Sequence, residues 1–209
     1  SQNCILFLKF HKLKKHQMKN KALILIGFQN DYFAADGILK SVVEESSRDS
    51  NIVENTVSLI EKLEDTLIIS TPIIFSSNYS ELKDPIGILK TIKDVGAFKE
   101  GSKGSETIEE IKNFNKKIIT IPGKLGLNAF MNTNLDKVLK ENHIDEVILA
   151  GTVASICIDS TGRSAFEKGY KVHMLSDCIS SRSIFEKDFY FENVFPLYAK
   201  ISNSSEFLN

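Results

Sequence analysis

From residue 21 onward the chain alternates short apolar runs with stretches of helical periodicity, and this alternation restricts the possible folds more than any other feature. Runs rich in β-branched or aromatic residues predict strands over residues 22–26, 72–76, 117–121, 146–150, 170–175 and 199–201. The intervening periodicity predicts helices over residues 52–69, 85–95, 106–114, 133–141, 155–168 and 183–197. Such alternation is typical of β-α-β units. We therefore expect a three-layer α/β/α, Rossmann-like fold with a mainly parallel six-stranded sheet.

Length, charge and cysteine content narrow the class of protein. A chain of 209 residues is long enough to bury a substantial core within one domain. A net charge of −1 argues against a nucleic-acid partner, and no apolar run approaches the roughly eighteen residues of a membrane span. Three cysteines at irregular spacing do not form a disulfide framework, which favours a reducing, cytoplasmic location.

The charge is distributed unevenly along the chain. The first 20 residues contain five lysines and no acid, so the rest of the chain carries a net charge of −6. A short apolar run before the lysines is compatible with an amphipathic anchor or a targeting segment. The alternative is an extension outside the fold, because residues 18–21 directly precede the first predicted strand. We favour this alternative and predict a basic N-terminal extension over residues 1–17 and a single domain over residues 18–209.

Three predicted strands are followed by residues whose side chains can take part in catalysis. The first is followed by a loop that contains Asp31, the third by Lys124 and the fourth by Cys157. Ligands of open parallel sheets bind beyond the carboxyl ends of the strands, where these residues should meet. A thiol in the first turn of a helix, close to an ammonium group, is favoured as a thiolate. Cys157 is therefore a candidate nucleophile, although a small buried helix residue is the commoner role of a single cysteine.

Three segments together resemble the isochorismatase-like cysteine hydrolases, the group that includes nicotinamidases and N-carbamoyl amidohydrolases. Residues 22–33, with the sequence ALILIGFQNDYF, are similar to the first strand and loop of that family. Lys124 and residues 128–130 resemble the segment of its catalytic lysine, and residues 147–158, VILAGTVASICI, resemble the segment of its nucleophile. The resemblance extends over residues 21–207 and implies the same Rossmann-like fold.

The family resemblance assigns roles to individual residues. It implies that Cys157 is the nucleophile, that Lys124 stabilises the thiolate, and that the Val153–Ala154 pair carries a cis bond and, with the Cys157 amide, forms the oxyanion hole. The catalytic aspartate of the family falls on Gly27, so the general-base position is vacant. General acid/base assistance typically contributes 10²- to 10⁴-fold. Asp31 lies four residues further along, and we do not transfer the role to it.

The resemblance implies no metal and no cofactor for this chain. Metal-binding members carry histidines after the second strand, whereas residues 76–82 contain none, and His143 and His173 fall elsewhere. The expected function is hydrolysis of a small amide, ureide or ester substrate through Cys157. The alternative is a catalytically degenerate member with a binding or assembly role, and vinyl-ether hydrolysis of the isochorismatase type ranks third because it relies on the missing acid. The family also implies a homo-oligomer, a dimer or tetramer.

Overall fold

The structure is a computed structural model in which residues 20–209 are described. The predicted extension over residues 1–17 lies outside the described residues. No helix within residues 20–209 is long and apolar enough to cross a membrane.

All six strands belong to one sheet. They are β1 (Lys21–Ile26), β2 (Leu67–Ser70), β3 (Ile118–Thr120), β4 (Glu146–Thr152), β5 (Lys171–Ser180) and β6 (Lys200–Ser202). Their order across the sheet is β3-β2-β1-β4-β5-β6, and every neighbouring pair is parallel. The prediction of a mainly parallel six-stranded sheet is confirmed, and the sheet is parallel throughout.

Nine α-helices occur among the described residues. They are α1 (Asn30–Phe33), α2 (Lys40–Ser50), α3 (Ile52–Lys62), α4 (Gly87–Val95), α5 (Glu109–Lys112), α6 (Leu135–Glu141), α7 (Asp159–Glu167), α8 (Ile184–Phe189) and α9 (Ser204–Leu208). A π-helical turn, Ala154–Ile158, precedes α7, and a second one, Tyr190–Val194, follows α8. Two short 3-10 turns cover Lys103–Ser105 and Phe195–Leu197.

Helices cover both faces of the sheet because successive residues of its central strands point in opposite directions. On one face Ile24 and Leu149 pack with buried residues of α2, α4, α6 and α7. On the other face Leu23 and Ile148 pack with buried residues of α3 and α5 and with the partly buried Phe207 of α9. Near-continuous apolar strands such as β1 are what a parallel sheet covered on both faces requires. The predicted three-layer arrangement is confirmed.

The second strand is the main error of the sequence analysis. The structure ends α3 at Lys62 and forms β2 from residues 67–70, which the prediction had assigned to the end of a helix over residues 52–69. Residues 67–70 form a strand despite their helical spacing, because β2 pairs with β1 on one side and with β3 on the other. Residues 72–76, predicted as the strand, begin with a proline that cannot donate to a ladder, and they form only isolated bridges.

Other predicted helices differ in extent. The helix predicted over residues 106–114 is reduced to Glu109–Lys112, and those predicted over residues 155–168 and 183–197 are divided by the π-helical turns. The helix α2 was not predicted, because its buried face contains Val43 and the polar Ser46 instead of a continuous apolar stripe.

The strand order defines where a ligand is expected to bind. The chain moves from β1 towards β2 and β3 on one side of the sheet, and from β4 towards β5 and β6 on the other. The carboxyl ends of β1 and β4 therefore flank the crevice at which such sheets bind ligands. Gly27 follows β1 and Cys157 lies in the turn that follows β4, so this crevice brings two of the predicted site residues together.

Candidate active site

Lys124 and Cys157 form a buried pair at this crevice. The Lys124 Nζ lies 3.3 Å from the Cys157 Sγ and donates a second hydrogen bond of 2.8 Å to the carbonyl oxygen of Gly126. The two residues are 0% and 3% exposed. The structure thus brings together the two residues that the sequence analysis proposed as nucleophile and thiolate stabiliser.

The loop of Lys124 is tied to the helix that follows Cys157. Lys124 forms a parallel bridge with Ile73 at the start of the loop. Further along, the Ala129 amide donates to the Thr161 hydroxyl of α7 at 3.0 Å, and the Thr133 hydroxyl donates to the Ala129 carbonyl at 2.6 Å. These bonds fix the lysine relative to the cysteine through a rigid element.

The pair has no carboxylate partner within residues 20–209. The only side-chain hydrogen bond of Cys157 in this part of the chain is the one from Lys124, and no acid forms an ion pair with Lys124 there. A buried ammonium group without an opposite charge is strongly unfavourable. A thiolate on Cys157 would supply that charge, and transfer of one proton between Nζ and Sγ leaves the net charge of the pair at zero.

The turn between β4 and Cys157 contains a cis peptide bond, which joins Thr152 to Val153. The sequence analysis had assigned the bond to the Val153–Ala154 pair, and that assignment was wrong by one residue. The ladder with β5 continues to Thr152, which pairs with Ser180, so the chain leaves the sheet only after Thr152. The first amides of a helical turn have no partner within it, and those of Val153 and Ala154 donate to no other described backbone group. They are available to an oxyanion.

Gly27 has a backbone conformation that is unfavourable for other residues. Its φ is +76°, and a Cβ built on it would lie 2.8 Å from the carbonyl oxygen and 3.1 Å from the Cγ2 of Thr152. Residues with a side chain rarely adopt such a φ. The position at which the family resemblance expects a carboxylate is therefore bordered by the residue that carries the cis bond.

The side chains of Asp31 and Gln29 connect the loop after β1 to distant segments through hydrogen bonds. Asp31 is buried, and its carboxylate accepts a hydrogen bond of 2.6 Å from the amide of Phe98. The Gln29 side chain donates to the carbonyls of Ile73 and Ser105, both at 2.8 Å, and accepts from the Ile73 amide at 2.9 Å. These bonds give the two polar side chains structural roles.

Tyr32 is a buried residue of α1 that the sequence analysis did not single out. It is 2% exposed and belongs to the same buried cluster as Cys157. Its ring lies 5.0 Å from that of Phe98 and 6.4 Å from that of Phe33. The signal in the sequence was its place in the loop after β1, but its neighbour Phe98 comes from a distant segment.

The described residues do not fit a metal site. Within residues 20–209 there is no group of three or more His, Cys, Asp or Glu side chains that could hold an ion. In the segment after β2, Glu81 accepts hydrogen bonds from the amide and the hydroxyl of Ser76, at 2.9 and 2.7 Å. His173 is buried in β5 between Glu146 and Ser202. It lies near the amino ends of the strands, whereas Cys157 follows the carboxyl end of β4. We derive no catalytic step through a metal.

Cys178 differs from Cys157 in its surroundings. It is fully buried in the second core, and burial, followed by the charge of Asp177, raises the pKa of its thiol to about 12. Such a thiol is protonated and unreactive at neutral pH. Cys178 is therefore a structural residue of this core, whereas Cys4 lies outside the described residues.

Comparisons with known proteins give the family and the fold of the chain. The chain is 25% identical to nicotinamidase 3 of Arabidopsis thaliana over 163 residues, which are 78% of this chain and 74% of that protein. A cysteine hydrolase of Pseudomonas syringae superposes with a TM-score of 0.79 at 20% identity, covering 90% of this chain and 91% of that one. N-carbamoylsarcosine amidase of Thermoplasma acidophilum gives 0.69 at 22% identity, covering 88% and 96%. Residues 21–206 match the isochorismatase domain, and the chain belongs to the isochorismatase family of hydrolases, as its sequence motifs predicted.

Proposed function

We propose that this protein is a cysteine hydrolase that cleaves a small amide, ureide or ester through a Cys157–Lys124 dyad. The observation that carries the proposal is the buried 3.3 Å contact between Nζ and Sγ, without a carboxylate partner among the described residues. The names of two relatives, a nicotinamidase and an N-carbamoylsarcosine amidase, support a substrate with a non-peptide C–N bond.

The dyad provides a route for the proton as well as the nucleophile. Lys124 accepts the thiol proton, and the Cys157 thiolate attacks the substrate carbonyl carbon to form a C–S bond. The amides of Val153, Ala154 and Cys157 hold the resulting oxyanion. The intermediate collapses with cleavage of the C–N or C–O bond, and the leaving group takes the proton from Lys124. Water then attacks the thioester, which releases the acid and restores the thiol.

Gly27 makes the leaving group important in this scheme. A carboxylate at this position would assist protonation of the departing amine, and a glycine offers no such group. Lys124 therefore acts both as the base and as the acid. Because alcohols and thiols leave with less need for a proton than amines, esters and thioesters should react more readily than amides.

The second candidate function is binding or assembly without catalysis. The observation that favours it is the close approach of Thr152 to Gly27, which is incompatible with simple replacement of a side chain at this position. In this case the Lys124–Cys157 contact would stabilise the fold alone, and Cys157 would not be more reactive than an ordinary thiol.

Alkylation separates the two functions. We expect iodoacetamide at neutral pH to modify Cys157 faster than glutathione, with Cys178 unmodified as an internal control, as measured by peptide mass spectrometry. Replacement of Lys124 by methionine should slow modification of Cys157 about tenfold or more, because the thiolate loses its counter-charge. Lys137→Met, at an exposed lysine of α6, is the matched control and should have no effect. A Cys157 that reacts no faster than glutathione contradicts the proposed nucleophile.

We further propose a small-molecule substrate, a cytoplasmic location and a homo-oligomeric state. The family resemblance supports the first and the third of these. An exposed aromatic pair on α8, Phe185 and Phe189, whose rings lie 6.5 Å apart, is the type of surface that subunit contacts use.

A further inference from the structure

His173 is the middle member of three hydrogen-bonded side chains on one face of the sheet. Its Nε2 lies 2.8 Å from the hydroxyl oxygen of Ser202, and its Nδ1 lies 3.3 Å from the carboxylate of Glu146. The three residues belong to the neighbouring strands β4, β5 and β6. A hydroxyl within hydrogen-bond reach of an imidazole, which is itself oriented by a carboxylate, is the arrangement that activates a serine as a nucleophile.

The register of the sheet brings these side chains together. Residues of a strand alternate between its two faces, and paired residues of parallel strands point to the same face. His173 pairs with Ile148 in β4 and with Lys200 in β6. Glu146 and Ser202 each lie two residues from one of these partners, so they share the face of His173. The backbone therefore determines the juxtaposition of the three side chains.

The carboxylate of Glu146 determines which nitrogen of the imidazole carries the proton. The hydrogen bond from His173 and the charge of Lys21, which lies 3.3 Å away, lower the pKa of Glu146 against the opposing effect of burial. An ionised carboxylate can only accept, so Nδ1 carries the proton of the neutral imidazole. The Ser202 proton has two acceptors in reach, the Asn203 carbonyl oxygen at 3.0 Å and the lone pair of Nε2. The imidazole is thus in the form that can take this proton.

The three side chains line a cavity of about 770 Å³ at the amino ends of β1, β4 and β5. A small molecule fits in a space of this size. His173 is 2% exposed, whereas Ser202 is only partly buried. Cys157, in contrast, follows the carboxyl end of β4. The cavity is therefore a site separate from the Lys124–Cys157 pair.

The charges around this cavity favour an anionic ligand. Its acidic side chains all have a hydrogen-bond or ion-pair partner; they are Asp145, Glu146 and Glu206. Lys171 and Lys200 also line the cavity, are exposed, and form no ion pair within residues 20–209. Lys200 lies on the same face of β6 as Ser202, two residues before it. Two positive charges next to the hydroxyl are thus available to a negatively charged molecule.

We propose that Ser202, His173 and Glu146 form a second hydrolytic centre, which cleaves small carboxylic esters that carry a negative charge. The Ser202 oxygen attacks the ester carbonyl carbon and forms a C–O bond, while its proton passes to Nε2 of His173. The bond to the leaving alcohol breaks, and the alcohol takes that proton. Water then gives a proton to His173 and attacks the acyl-serine, which releases the acid. His173 returns the proton to the Ser202 oxygen.

A serine-directed label tests this centre without knowledge of the natural substrate. Phenylmethylsulfonyl fluoride sulfonylates activated serines, and its site of reaction is located by peptide mass spectrometry. The full chain with Cys157→Ala is used, so that the thiol of the other site does not react. Ser204 and Ser205 lie in the same tryptic peptide, residues 201–209, and serve as internal controls. We expect Ser202 to react at least about tenfold faster than either control.

Variants of the other two residues test whether the imidazole activates the serine. His173→Gln should abolish the reaction of Ser202, and Glu146→Gln should slow it about tenfold or more, because the imidazole loses its orienting carboxylate. Thermal melting shows whether each variant is folded, and the partly exposed Glu146 keeps the test valid if His173→Gln does not fold. A Ser202 that reacts no faster than Ser204 and Ser205, or equally in a folded variant, would overturn the second centre.

A pair of esters tests the class of substrate. 4-Acetoxybenzoate and its methyl ester differ by one negative charge, and their hydrolysis is followed in the Cys157→Ala protein. Adding Lys200→Met should lower kcat/KM for the charged ester about threefold more than for the neutral one, whereas Lys137→Met, at an exposed lysine of α6, should have no effect.

Adding Ser202→Ala to the Cys157→Ala protein should abolish the hydrolysis of both esters. Hydrolysis that survives this change would overturn the second centre, and equal effects of Lys200→Met on the two esters would overturn the proposed substrate class. Since Cys157 is absent from every protein compared, none of these results bears on the function proposed for the Lys124–Cys157 pair.

Discussion

Gly27 shows how one residue can determine both the chemistry and the backbone of a site. Its φ is +76°, and a Cβ at this position would lie too close to Thr152, the residue that begins the cis bond at the end of β4. A side chain there would move the turn as well as fill the crevice. The absence of an acid at this position is therefore coupled to the geometry of the neighbouring strand end.

We predict that Gly27→Ala and Gly27→Asp both destabilise the protein, by about 1–2 kcal/mol from the left-handed conformation alone and by more if Thr152 does not move. Thermal melting measures this effect. Only the aspartate adds a carboxylate, so the rate of amide hydrolysis in Gly27→Asp relative to Gly27→Ala isolates the contribution of an acid at this position. An alanine variant as stable as the wild type would contradict the proposed backbone restriction.

Two of the candidate site residues, Cys157 and Lys124, could be predicted from the sequence for a physical reason. Lys124 and Cys157 lie in the segments that follow β3 and β4, and parallel strands bring their carboxyl ends to one edge. The hydrogen bond of Asp31 and the ring contact of Tyr32 both involve Phe98, which is 67 residues from Asp31 along the chain. Local patterns contain no information on which distant segment closes over a loop.

At the scale of the secondary-structure elements, a carboxylate with several hydrogen bonds lies at the start of α8. Glu186 accepts from the amide of Arg182 at 3.1 Å and from its Nε at 2.9 Å, and also from the hydroxyl of Ser181. Its own amide donates to the hydroxyl of Ser183, the N-cap residue. Burial opposes the charge, but the bonds from Arg182 and Ser181 outweigh it and lower the pKa of Glu186 from 4.5 to about 2. The carboxylate thus joins α8 to the end of β5.

This depressed pKa predicts a pH-dependent contribution to stability. The contribution is fully present above about pH 4.5, the pKa in the unfolded chain, and is lost as the pH falls towards about 2. Glu186→Gln, which does not titrate, should therefore melt at a lower temperature than the wild type at pH 7, and the difference should shrink between pH 5 and pH 3. Glu192→Gln, at an exposed residue of the following turn, is the matched control. A difference that is independent of pH would refute the assignment of this effect to the carboxylate charge.

The two ends of the segment from residue 63 to residue 76 show what decides the type of an element. Leu63 and Leu67 continue the helical spacing of α3, yet Leu67 begins a strand because β1 and β3 offer partners on both sides. Pro72 and the apolar residues after it have the composition of a strand, yet β2 has already ended at Ser70. Sheet pairing depends on strands that are distant in the sequence. Local periodicity alone therefore predicts the boundary between a helix and a strand poorly.

At the scale of the whole molecule, the first 20 residues are basic and the rest of the chain is acidic. The family match begins at residue 21, and β1 begins at Lys21. We predict that deletion of residues 1–17 leaves the melting temperature of the protein nearly unchanged. For a domain of this size, a loss of about 1 kcal/mol lowers the midpoint by roughly 2–4 °C. A fall of several degrees would show that the extension contributes to the stability of the folded domain.

The tether between Ala129 and Thr161 has a mechanical consequence. The lysine loop is anchored to the helix that continues from Cys157, so a displacement of one carries the other with it. The distance from Nζ to Sγ is then insensitive to breathing of the crevice. The segment after β1 is held separately, because the Asp31 carboxylate accepts from the amide of Phe98, whose carbonyl in turn accepts from the amide of Phe75. The Lys124–Cys157 pair and the segment after β1 are thus anchored to different parts of the chain.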